Sequence, residues 1–333
     1  MKLVVTGGRG FIGSHFVEEA LGLGHTVYDI DKMGYASHET LPWDSHPSYK
    51  LQIADISTLI HIPSCDIIVN FAAESHVDNS IRDSKPFVDS SLIGVWNLLE
   101  LIRGKPEYNR PLFFHISTDE VYGDRKDGTF KEDDVLSPSN PYSATKAGAE
   151  MLVKAYSRTY NIDYIITRSS NNYGERQYEE KLIPKCISSL QNNKKIPVHG
   201  DGSYVRDWTY VKDNVSGIFS ILDSGVKNET FNIASENYMI NLDVVKTIIS
   251  WMGKDESSIQ FVPNRWGQDV RYAVDASKLR SLGWSPQHPE GLYKWVSTDP
   301  SSSYLGDCAS EALERRIFEN RKPFTAKKAI CIF

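Results

Sequence analysis

A glycine triplet near the start of the chain places the strongest constraint on its fold. Gly7, Gly10 and Gly13 are spaced Gly-x-x-Gly-x-x-Gly, between an apolar run at residues 3–5 and a stretch that we predict to be helical to about Leu23. Such glycines let the backbone turn tightly and approach a pyrophosphate at the helix N-terminus, where free N–H groups and the helix dipole favour an anion. The sequence therefore predicts an α/β fold, a doubly wound parallel sheet of the Rossmann type, that binds a dinucleotide.

Acidic residues near the end of the second predicted strand indicate which dinucleotide this is. Asp29 and Asp31 lie where a carboxylate can bind the adenosine ribose hydroxyls and repel a 2′-phosphate, which favours NAD over NADP. Only one carboxylate is needed, so we assign Asp31 to the cofactor and leave Asp29 as a solvated strand-end residue. A third strand at residues 49–53 runs to Asp55 and Ile56, which we expect to contact the adenine.

A fourth predicted strand, residues 66–71, leads into a loop with small side chains. Ala72 and Ala73 stand where larger residues would obstruct a cofactor. His76 follows in the same loop, and it could act as a catalytic base. A single histidine in a loop is more often structural, and we favour that interpretation.

A tyrosine and a lysine four residues apart are the first candidates for catalysis. Pro141 fits the first turn of a helix beginning near Tyr142, on which Tyr142 and Lys146 share one face. A free phenol is a poor base near neutral pH, but a neighbouring ammonium lowers its pKa. We therefore expect Tyr142 to accept a proton, with Lys146 as its activator.

Three polar residues at the end of a predicted buried strand complete the catalytic candidates. Thr118, Asp119 and Glu120 lie where a strand opens into a loop, the position at which open α/β sheets bind ligands. Adjacent buried carboxyls hold different protonation states, because burial and like charge raise at least one pKa. With Tyr142 and Lys146 this is enough for two proton transfers. Alone, the two carboxyls could equally cap a turn.

Composition excludes several other classes of function. The chain has 333 residues, 40% of them hydrophobic and 24% charged, and its net charge of -6 is mixed along the sequence, which argues against a nucleic-acid partner. The amino-terminal residues do not form a signal peptide, and no apolar run approaches the roughly 18 residues of a membrane span. We predict a cytoplasmic protein with no membrane partner. We also predict no metal site, because the cysteines have no metal-binding spacing; they are Cys65, Cys186, Cys308 and Cys331.

The later part of the chain carries cationic and amide residues that are typical of a ligand-binding lobe. We place a dinucleotide-binding domain at 1–168, to which later strands also contribute, a smaller substrate-binding lobe at 169–296 and a tail of unknown role at 297–333. In the lobe, Lys181, Arg206 and Arg271, with Asn171 and Asn241, could bind a diphosphate through charge-assisted hydrogen bonds. Surface salt bridges are the alternative for each arginine taken singly.

Two predicted helices, 87–103 and 142–160, carry apolar residues at helical spacing. We interpret these residues as part of the core. The second interpretation is that the helices pair with their copies in a homodimer.

These motifs together resemble the extended short-chain dehydrogenase/reductase superfamily, specifically its NAD-dependent nucleotide-sugar 4,6-dehydratases and most closely the dTDP-glucose type. The resemblance runs from residue 2 to about 296. Its most specific element is the triplet Thr118-Asp119-Glu120, because related epimerases and decarboxylases typically lack the adjacent acid pair. Further matching stretches are the Tyr142-x-x-x-Lys146 pair and residues 73–78, 170–174, 180–184, 200–208 and 271–275.

The resemblance implies a redox-neutral reaction on a nucleotide-linked glucose. Tyr142 and Thr118 would act at the sugar 4-hydroxyl while NAD accepts the C4 hydride. Glu120 would then take the C5 proton, protonated Asp119 would assist departure of the 6-hydroxyl as water, and the hydride would return to C6. The product is the 4-keto-6-deoxy sugar nucleotide. We expect dTDP-glucose as the substrate, with UDP-glucose second.

The resemblance also implies two sets of contacts. The NAD contacts are Gly7, Gly10, Phe11, Ile12, Gly13, Asp31, Lys32, Asp55, Ile56, Ala72, Ala73, Ser90, Tyr142, Lys146 and Asn172. The sugar-nucleotide contacts are His76, Ser80, Thr118, Asn171, Lys181, Leu182, Pro197, His199, Arg206, Asn241, Arg265, Asp269 and Arg271. Residues 265–269 read Arg-Trp-Gly-Gln-Asp where the family usually has Arg-Pro-Gly-His-Asp, which leaves the preference for thymidine or uridine open.

Two alternatives remain on sequence grounds. A 4-epimerase or decarboxylase of the same fold would use only Tyr142, Lys146 and Thr118, leaving Asp119 and Glu120 without a role. A non-catalytic NAD-binding scaffold or sensor would be expected to lack at least one catalytic group, and this chain has all five.

Overall fold

The computed structural model describes residues 1–288. The predicted tail at 297–333, with Cys308 and Cys331, and residues 289–296 lie outside this part of the chain. The strands, in chain order, are β1 (Lys2–Thr6), β2 (Thr26–Asp31), β3 (Tyr49–Ile53), β4 (Ile67–Asn70), β5 (Leu112–Thr118), β6 (Tyr164–Ser169), β7 (Asn171–Tyr173), β8 (Ile196–His199), β9 (Val205–Tyr210), β10 (Glu229–Ile233), β11 (Tyr238–Ile240) and β12 (Ile259–Val262).

The helices connect these strands in the order expected of an α/β protein. They are α1 (Phe11–Gly22), α2 (Val77–Arg82), α3 (Lys85–Phe87), α4 (Gly94–Arg103), α5 (Pro141–Tyr160), α6 (Leu182–Gln191), α7 (Val211–Ser224), α8 (Asn241–Trp251) and α9 (Ser277–Arg280). None of the helices within residues 1–288 is both long and apolar enough to cross a membrane.

Seven parallel strands form the central sheet, in the order β10-β6-β5-β4-β1-β2-β3. The chain moves outward in one direction from β1 to β3, then returns to β4 on the other side of β1. The end of β1 is therefore the point where the strand order reverses, and Thr6 there pairs with Ile30 of β2 and Asn70 of β4. This strand order confirms the predicted fold class. Doubly wound sheets bind ligands at the switch point, and the glycine triplet follows β1 there.

Alternating side chains bury both faces of the sheet. Along β1, Leu3 and Val5 pack into a core with Phe16 of α1, while Val4 packs on the opposite face with Leu98 of α4. All five side chains are essentially inaccessible to solvent. Helices on both faces account for the near-continuous apolar run, which is typical of buried parallel strands.

A smaller layer follows the central sheet. β7, β9 and β11 form one short sheet and β8 pairs with β12, and they pack with α6 and α8 around a separate core that includes Ile187, Trp208 and Ile248. The chain beyond residue 168 also supplies β6 in part, β10 and α7 to the central sheet. The boundaries at 168 and 296 stay a prediction.

The predicted helix 87–103 is not a uniform α-helix. Residues Val88–Ile93 form a wider π-helical turn between α3 and α4. Inside it the Ser90 hydroxyl donates to Pro86 O (2.9 Å) and accepts from the backbone N–H of Glu74 (3.2 Å). Turns of this type are frequent at functional sites, and here the turn holds the loop after β4.

Candidate active site

A pocket follows the carboxyl ends of the central strands. It is bounded by the glycine loop, by the loops after β2, β3 and β4, and by β5 and α5. Its walls include every predicted NAD contact except Asn172: Gly7, Gly10, Phe11, Ile12, Gly13, Asp31, Lys32, Asp55, Ile56, Ala72, Ala73, Ser90, Tyr142 and Lys146.

The glycine loop has the shape that a pyrophosphate requires. Gly7 has φ +76°, and a Cβ there would lie 2.7 Å from the backbone nitrogen of Ala72; a Cβ at Gly13 would overlap the carbonyl oxygen of Gly7. At Gly10 the nearest atom to an added Cβ is 3.4 Å away, so this glycine leaves space on the pocket side. The first N–H groups of α1 have no partners within the helix. The residues present therefore fit a dinucleotide.

Asp31 lies at the end of β2 and is fixed by its own neighbours. One carboxylate oxygen accepts from the Ser37 hydroxyl (2.9 Å) and the other from the backbone N–H of Arg9 (3.0 Å). The carboxylate is thus pre-oriented at the pocket wall, as a group that receives ribose hydroxyls must be.

Asp29 contradicts the expectation of a solvated strand end. Its side chain is fully buried and accepts from the backbone N–H of Gly8 (3.0 Å) and from the Tyr49 hydroxyl (2.8 Å). Burial raises the pKa of Asp29 to about 7. The residue supports the glycine loop from behind and does not line the pocket.

Arg9, within the glycine loop, is a supporting residue that the sequence reasoning missed. Its guanidinium is inaccessible to solvent, pairs with Asp44 and donates to the carbonyl oxygens of His38 (2.8 Å) and Glu39 (2.6 Å). It therefore holds the loop after β2 against the glycine loop.

Two loops meet across the mouth of the pocket. The Tyr35 hydroxyl, in the loop after β2, donates to Glu180 (3.0 Å), and the Tyr35 and Tyr178 rings meet edge to face at 5.3 Å. The His38 imidazole is hydrogen-bonded to the carbonyl oxygen of Arg176 (3.0 Å). We call residues 35–38 and 176–180 the strap; no sequence motif pointed to it.

The start of α5 is strongly specified. Asn140 and Ser143 form a reciprocal capping box, and Pro141 is the first helical residue, as predicted. The Ser80 hydroxyl accepts from the backbone N–H of Tyr142 (3.3 Å), and Ser80 is buried outside the pocket. The Ser80 side chain contacts the α5 N-terminus, and its predicted contact with the substrate stays a prediction.

Tyr142 and Lys146 both line the pocket, but their electrostatics differ from the sequence-based expectation. Burial, with the Glu120 charge next, raises the pKa of Tyr142 above its usual value, against a hydrogen bond with Thr118. Lys146 Nζ donates to the carbonyl oxygen of Ile116 (2.6 Å), and burial lowers the pKa of Lys146 to about 8. The expected lowering of the phenol pKa by Lys146 is wrong in this structure, because burial raises the pKa of Tyr142.

Thr118, Asp119 and Glu120 follow β5 in a 3-10 turn, Asp119–Tyr122. Thr118 caps this turn by accepting from the Glu120 N–H (3.3 Å). Asp119 is 2% exposed, and its Oδ2 has no hydrogen-bond partner among the described residues. Burial, followed by the Glu120 charge, raises the pKa of Asp119 well above the usual carboxyl range. The raised pKa favours the protonated form of Asp119, which suits a proton donor.

Glu120 has different surroundings, although it is the next residue. It is partly exposed, its Oε2 accepts from Asn140 Nδ2 (3.5 Å), and the Tyr272 hydroxyl oxygen lies 3.4 Å from the same atom. The Tyr272 hydroxyl donates to the nearer Asp269 (2.6 Å), which accepts from Ser139 as well. These long contacts leave the carboxylate of Glu120 accessible to a substrate proton.

The comparisons with known proteins bear directly on this arrangement. The family model for GDP-mannose 4,6 dehydratase matches residues 4–290. The chain belongs to this dehydratase family. It is 44% identical over 316 residues to the low-salt glycan biosynthesis protein Agl12 of Haloferax volcanii, covering 92% of this chain and 99% of that protein. It is 39% identical over 324 residues to the dTDP-glucose 4,6-dehydratase of Escherichia coli, covering 86% and 90%.

Solved structures agree with this assignment to the dehydratase family. The dTDP-glucose 4,6-dehydratase DesIV of Streptomyces venezuelae, with NAD and TYD bound, superposes with a TM-score of 0.83 at 36% identity, covering 89% of this chain and 96% of that one. The UDP-glucuronic acid 4-epimerase of Bacillus cereus superposes with a TM-score of 0.81 at 27% identity, covering 89% and 99%. The predicted membership among nucleotide-sugar 4,6-dehydratases is confirmed.

In this dehydratase the predicted substrate residues lie beyond the β5 end of the pocket, and few of them touch it. Lys181 lines the pocket, and its Nζ donates to the carbonyl oxygen of Ser75 (2.7 Å). Arg265 pairs with Asp78 of α2 (3.0 Å). The His76 imidazole lies 4.0 Å from Glu180, and burial lowers its pKa.

Other predicted positions are confined to the second layer. Asn171 in β7 and Asn241 at the start of α8 each have a buried carboxamide oxygen without a partner among the described residues. Asn172 donates to the carbonyl oxygen of Ser170 (2.9 Å) and does not line the pocket, and its contact with NAD stays a prediction. Leu182 begins α6, and Pro197 and His199 lie in β8.

Binding of a diphosphate by Arg206 and Arg271 together stays a prediction, and in this structure both guanidinium groups have partners within the protein. Arg206 is buried, stacks over the Tyr272 ring (4.2 Å) and donates to the carbonyl oxygen of Asp269 (2.9 Å). Arg271 stacks over Tyr238 (5.6 Å) and donates to the carbonyl oxygen of Gly128 (2.6 Å). The two guanidinium groups therefore donate to different backbone segments.

Within residues 1–288 no group of histidine, cysteine and acidic side chains is arranged to hold a metal ion. Cys65 and Cys186 are free thiols.

Proposed function

We propose that this chain is an NAD-dependent hydro-lyase, a nucleotide-sugar 4,6-dehydratase that converts dTDP-glucose to dTDP-4-keto-6-deoxyglucose. UDP-glucose is the second candidate substrate. The observation that carries the proposal is the contrast between two adjacent carboxyls, since the pKa of buried Asp119 is raised whereas Glu120 is partly exposed and contacts Asn140 and Tyr272. Elimination of water needs one carboxyl as an acid and one as a base.

The first step is removal of the 4-hydroxyl proton. Tyr142 accepts this proton. Thr118 is hydrogen-bonded to the Tyr142 phenol and orients the oxygen of the sugar 4-hydroxyl. NAD, when bound, supplies a hydride acceptor for C4, a donor that returns the hydride to C6, and a positively charged ring that favours the phenolate. Lys146, held by Ile116, adds a second positive charge on the same helix face.

The second step is elimination across C5 and C6. The 4-ketone acidifies the C5 proton, and Glu120 removes it. Asp119 donates its proton to the 6-hydroxyl, which leaves as water. The Asp119 carboxylate formed here is buried, and Arg206 offsets part of its charge. A proton then returns to C5 from Glu120.

The NAD site is proposed to comprise the pocket residues given above, and the sugar nucleotide to lie across the β5 end of that pocket. Lys181, Asn171 and Asn241 are kept as proposed contacts for the substrate. Arg206 is proposed to act from beneath the site, through Asp119, and not on the diphosphate.

An epimerase is the second candidate, since a UDP-glucuronic acid 4-epimerase shares the fold at 27% identity. It would use Tyr142, Lys146 and Thr118 in the same way. A buried neutral acid next to a partly exposed carboxylate has no part in C4 epimerisation, and this favours the dehydratase.

We further propose that the protein is a homodimer. α4 and α5 pack side by side, and their outer face exposes Ile93, Trp96 and Met151, which are 42%, 44% and 48% accessible. An apolar patch of this kind on two adjacent helices is typical of an interface. We keep a cytoplasmic location in the proposal, supported by the free thiols of Cys65 and Cys186.

The test is incubation of the purified protein, with NAD, separately with dTDP-glucose and UDP-glucose. A product lighter by one water, detected by mass spectrometry, supports the dehydratase function. The substrate that is converted faster identifies the preferred nucleotide. Epimerised product without water loss, or release of carbon dioxide from a uronic acid analogue, would contradict it. Light scattering on the same sample tests the homodimer, and Met151→Glu should then yield monomers.

A further inference from the structure

A fully buried ion pair lies directly behind the catalytic helix. Glu150 of α5 and Arg168 of β6 are 0% and 1% exposed. Arg168 binds both carboxylate oxygens of Glu150, with Nη2 at 2.6 Å and Nε at 3.0 and 3.1 Å. Such a pair is weak evidence for stability, because desolvation offsets much of the attraction between the charges. Its position indicates a different use.

The pair continues the stripe of α5 that carries the catalytic groups. Tyr142, Lys146 and Glu150 are spaced four residues apart and therefore lie on one helix face. Burial lowers the pKa of Lys146 to about 8, and the charge of Glu150 acts against that lowering. Glu150 is thus the carboxylate that favours the ammonium form of Lys146.

The same arginine reaches the turn that carries the two acids. Arg168 Nη1 donates to the Tyr122 hydroxyl (2.6 Å) and to the carbonyl oxygen of Glu132 (3.0 Å). Tyr122 is the last residue of the turn that begins at Asp119, and its hydroxyl donates to Asn232 of β10 (2.8 Å). One guanidinium therefore links the catalytic helix to the acid-base turn.

We propose that Glu150, Arg168 and Tyr122 are positioning residues, which hold the Asp119–Glu120 turn in register with α5 and supply the charge balance behind Tyr142 and Lys146. This rests on the proposed dehydratase function. None of the three residues lines the pocket, so they act only through the groups that do.

Other titratable groups also face Tyr142, Lys146 and the Glu150–Arg168 pair. His115 of β5 faces Lys146, but burial holds its pKa well below its usual value, so it is neutral. Lys154 of α5 and Tyr164 of β6 face the ion pair, and burial lowers the pKa of Lys154 and raises that of Tyr164. Tyr142 is also faced by Asp119 and Glu120. Each variant below leaves all of these residues in place.

The test is the pH profile of C4 oxidation, measured as NADH formed in a single turnover. Removing the negative charge with Glu150→Gln lowers the pKa of both Tyr142 and Lys146, so both limbs of the profile should move to lower pH by about one unit. Arg168→Gln removes a positive charge and should move both limbs to higher pH. The neutral double variant should return them towards the parent.

Matched controls separate this role from a purely structural one. Glu256→Gln removes a carboxylate of the exposed pair with Lys246 and should leave both limbs unchanged. Tyr122→Phe keeps every charge, so it should leave the limbs in place but slow water loss several-fold relative to C4 oxidation. Circular dichroism and NAD binding establish that each variant is folded.

The outcomes distinguish the inference from the proposed function. If the parent forms no dehydrated product, the function fails. If the parent dehydrates its substrate while both charge variants show the pH profile of the parent, or shift it in the same direction, the inference fails and the proposed function stands. If the single charge variants do not fold, the double variant and Tyr122→Phe still test the inference. If Tyr122→Phe slows C4 oxidation and water loss by the same factor, the positioning role is overturned.

Discussion

Asp119 and Glu120 are adjacent in sequence, yet their side chains differ in burial, since Asp119 is 2% exposed and Glu120 is partly exposed. Asp119 is buried beneath the end of β5, and its pKa is raised by burial and by its neighbour. Glu120 turns towards Asn140 and Tyr272 at the partly exposed side. One turn of backbone therefore places a buried carboxyl next to a partly exposed one, and these are the acid and the base of the proposed elimination.

The first prediction concerns the acid. Asp119→Asn keeps the size of the side chain and its neutral state but removes the proton that can be donated. Water loss should fall roughly 100- to 10,000-fold, the usual contribution of a general acid, while C4 oxidation continues. Stopped-flow absorbance should then show NADH that accumulates, and mass spectrometry should show no dehydrated product. Product formed at the parent rate would exclude Asp119 as the acid.

The second prediction concerns stability. The native protein holds a proton on Asp119 at pH values where the unfolded chain has released it, near the usual carboxyl pKa of about 3.9. The unfolding free energy should therefore decrease as the pH rises above that value, until the raised native pKa is passed. In Asp119→Asn this contribution is absent, and denaturant titrations should show a flatter pH dependence than in the parent. Parallel curves would contradict the assigned protonation state.

The third prediction concerns the cofactor cradle. Gly10 has φ -79°, which alanine tolerates, and an added Cβ meets only the carbonyl oxygen of Gly7 at 3.4 Å. Gly10→Ala should keep the fold but weaken NAD binding by about 10-fold or more, because the methyl group enters the space for the pyrophosphate. Gly22→Ala in the same helix meets no atom within 4 Å, and it should leave binding unchanged while stabilising the protein by about 0.5–1 kcal/mol. Calorimetric titration with NAD compares the two.

The fourth prediction concerns the strap. Tyr35→Phe removes the hydrogen bond to Glu180 but keeps the ring contact with Tyr178. A net loss of about 0.5–1.5 kcal/mol corresponds to NAD release faster by roughly 2- to 10-fold. Tyr28→Phe removes a hydroxyl that bonds to Gln52 outside the pocket, and it serves as the matched control. Equal NAD release rates in both variants would show that the strap does not retain the cofactor.

What the sequence could predict was local in character. The glycine spacing, Asp31 and the Pro141 helix start depend on neighbours within a few residues, and the structure places each of them where the pattern indicated. The doubly wound parallel sheet was predicted from these same motifs, because parallel strands joined by helices admit few arrangements.

What the sequence could not predict depends on contacts between distant segments. The burial of Asp29 requires Tyr49, 20 residues away, and the direction of Arg206 is set by Tyr272 and Asp269. The π-helical turn at Val88–Ile93 has no distinguishing residue pattern that we recognised. The pKa of Tyr142 is raised because the surrounding protein buries it, which residue spacing does not reveal.

The most direct test of the central claim is the fate of a deuterium placed at C4 of dTDP-glucose. After reaction with the protein and NAD, the account predicts a product that has lost one water and carries the deuterium at C6, because the hydride taken from C4 is returned there after elimination. Deuterium that remains at C4, in a sugar with inverted configuration and no loss of water, would contradict the dehydratase assignment and the roles given to Asp119 and Glu120.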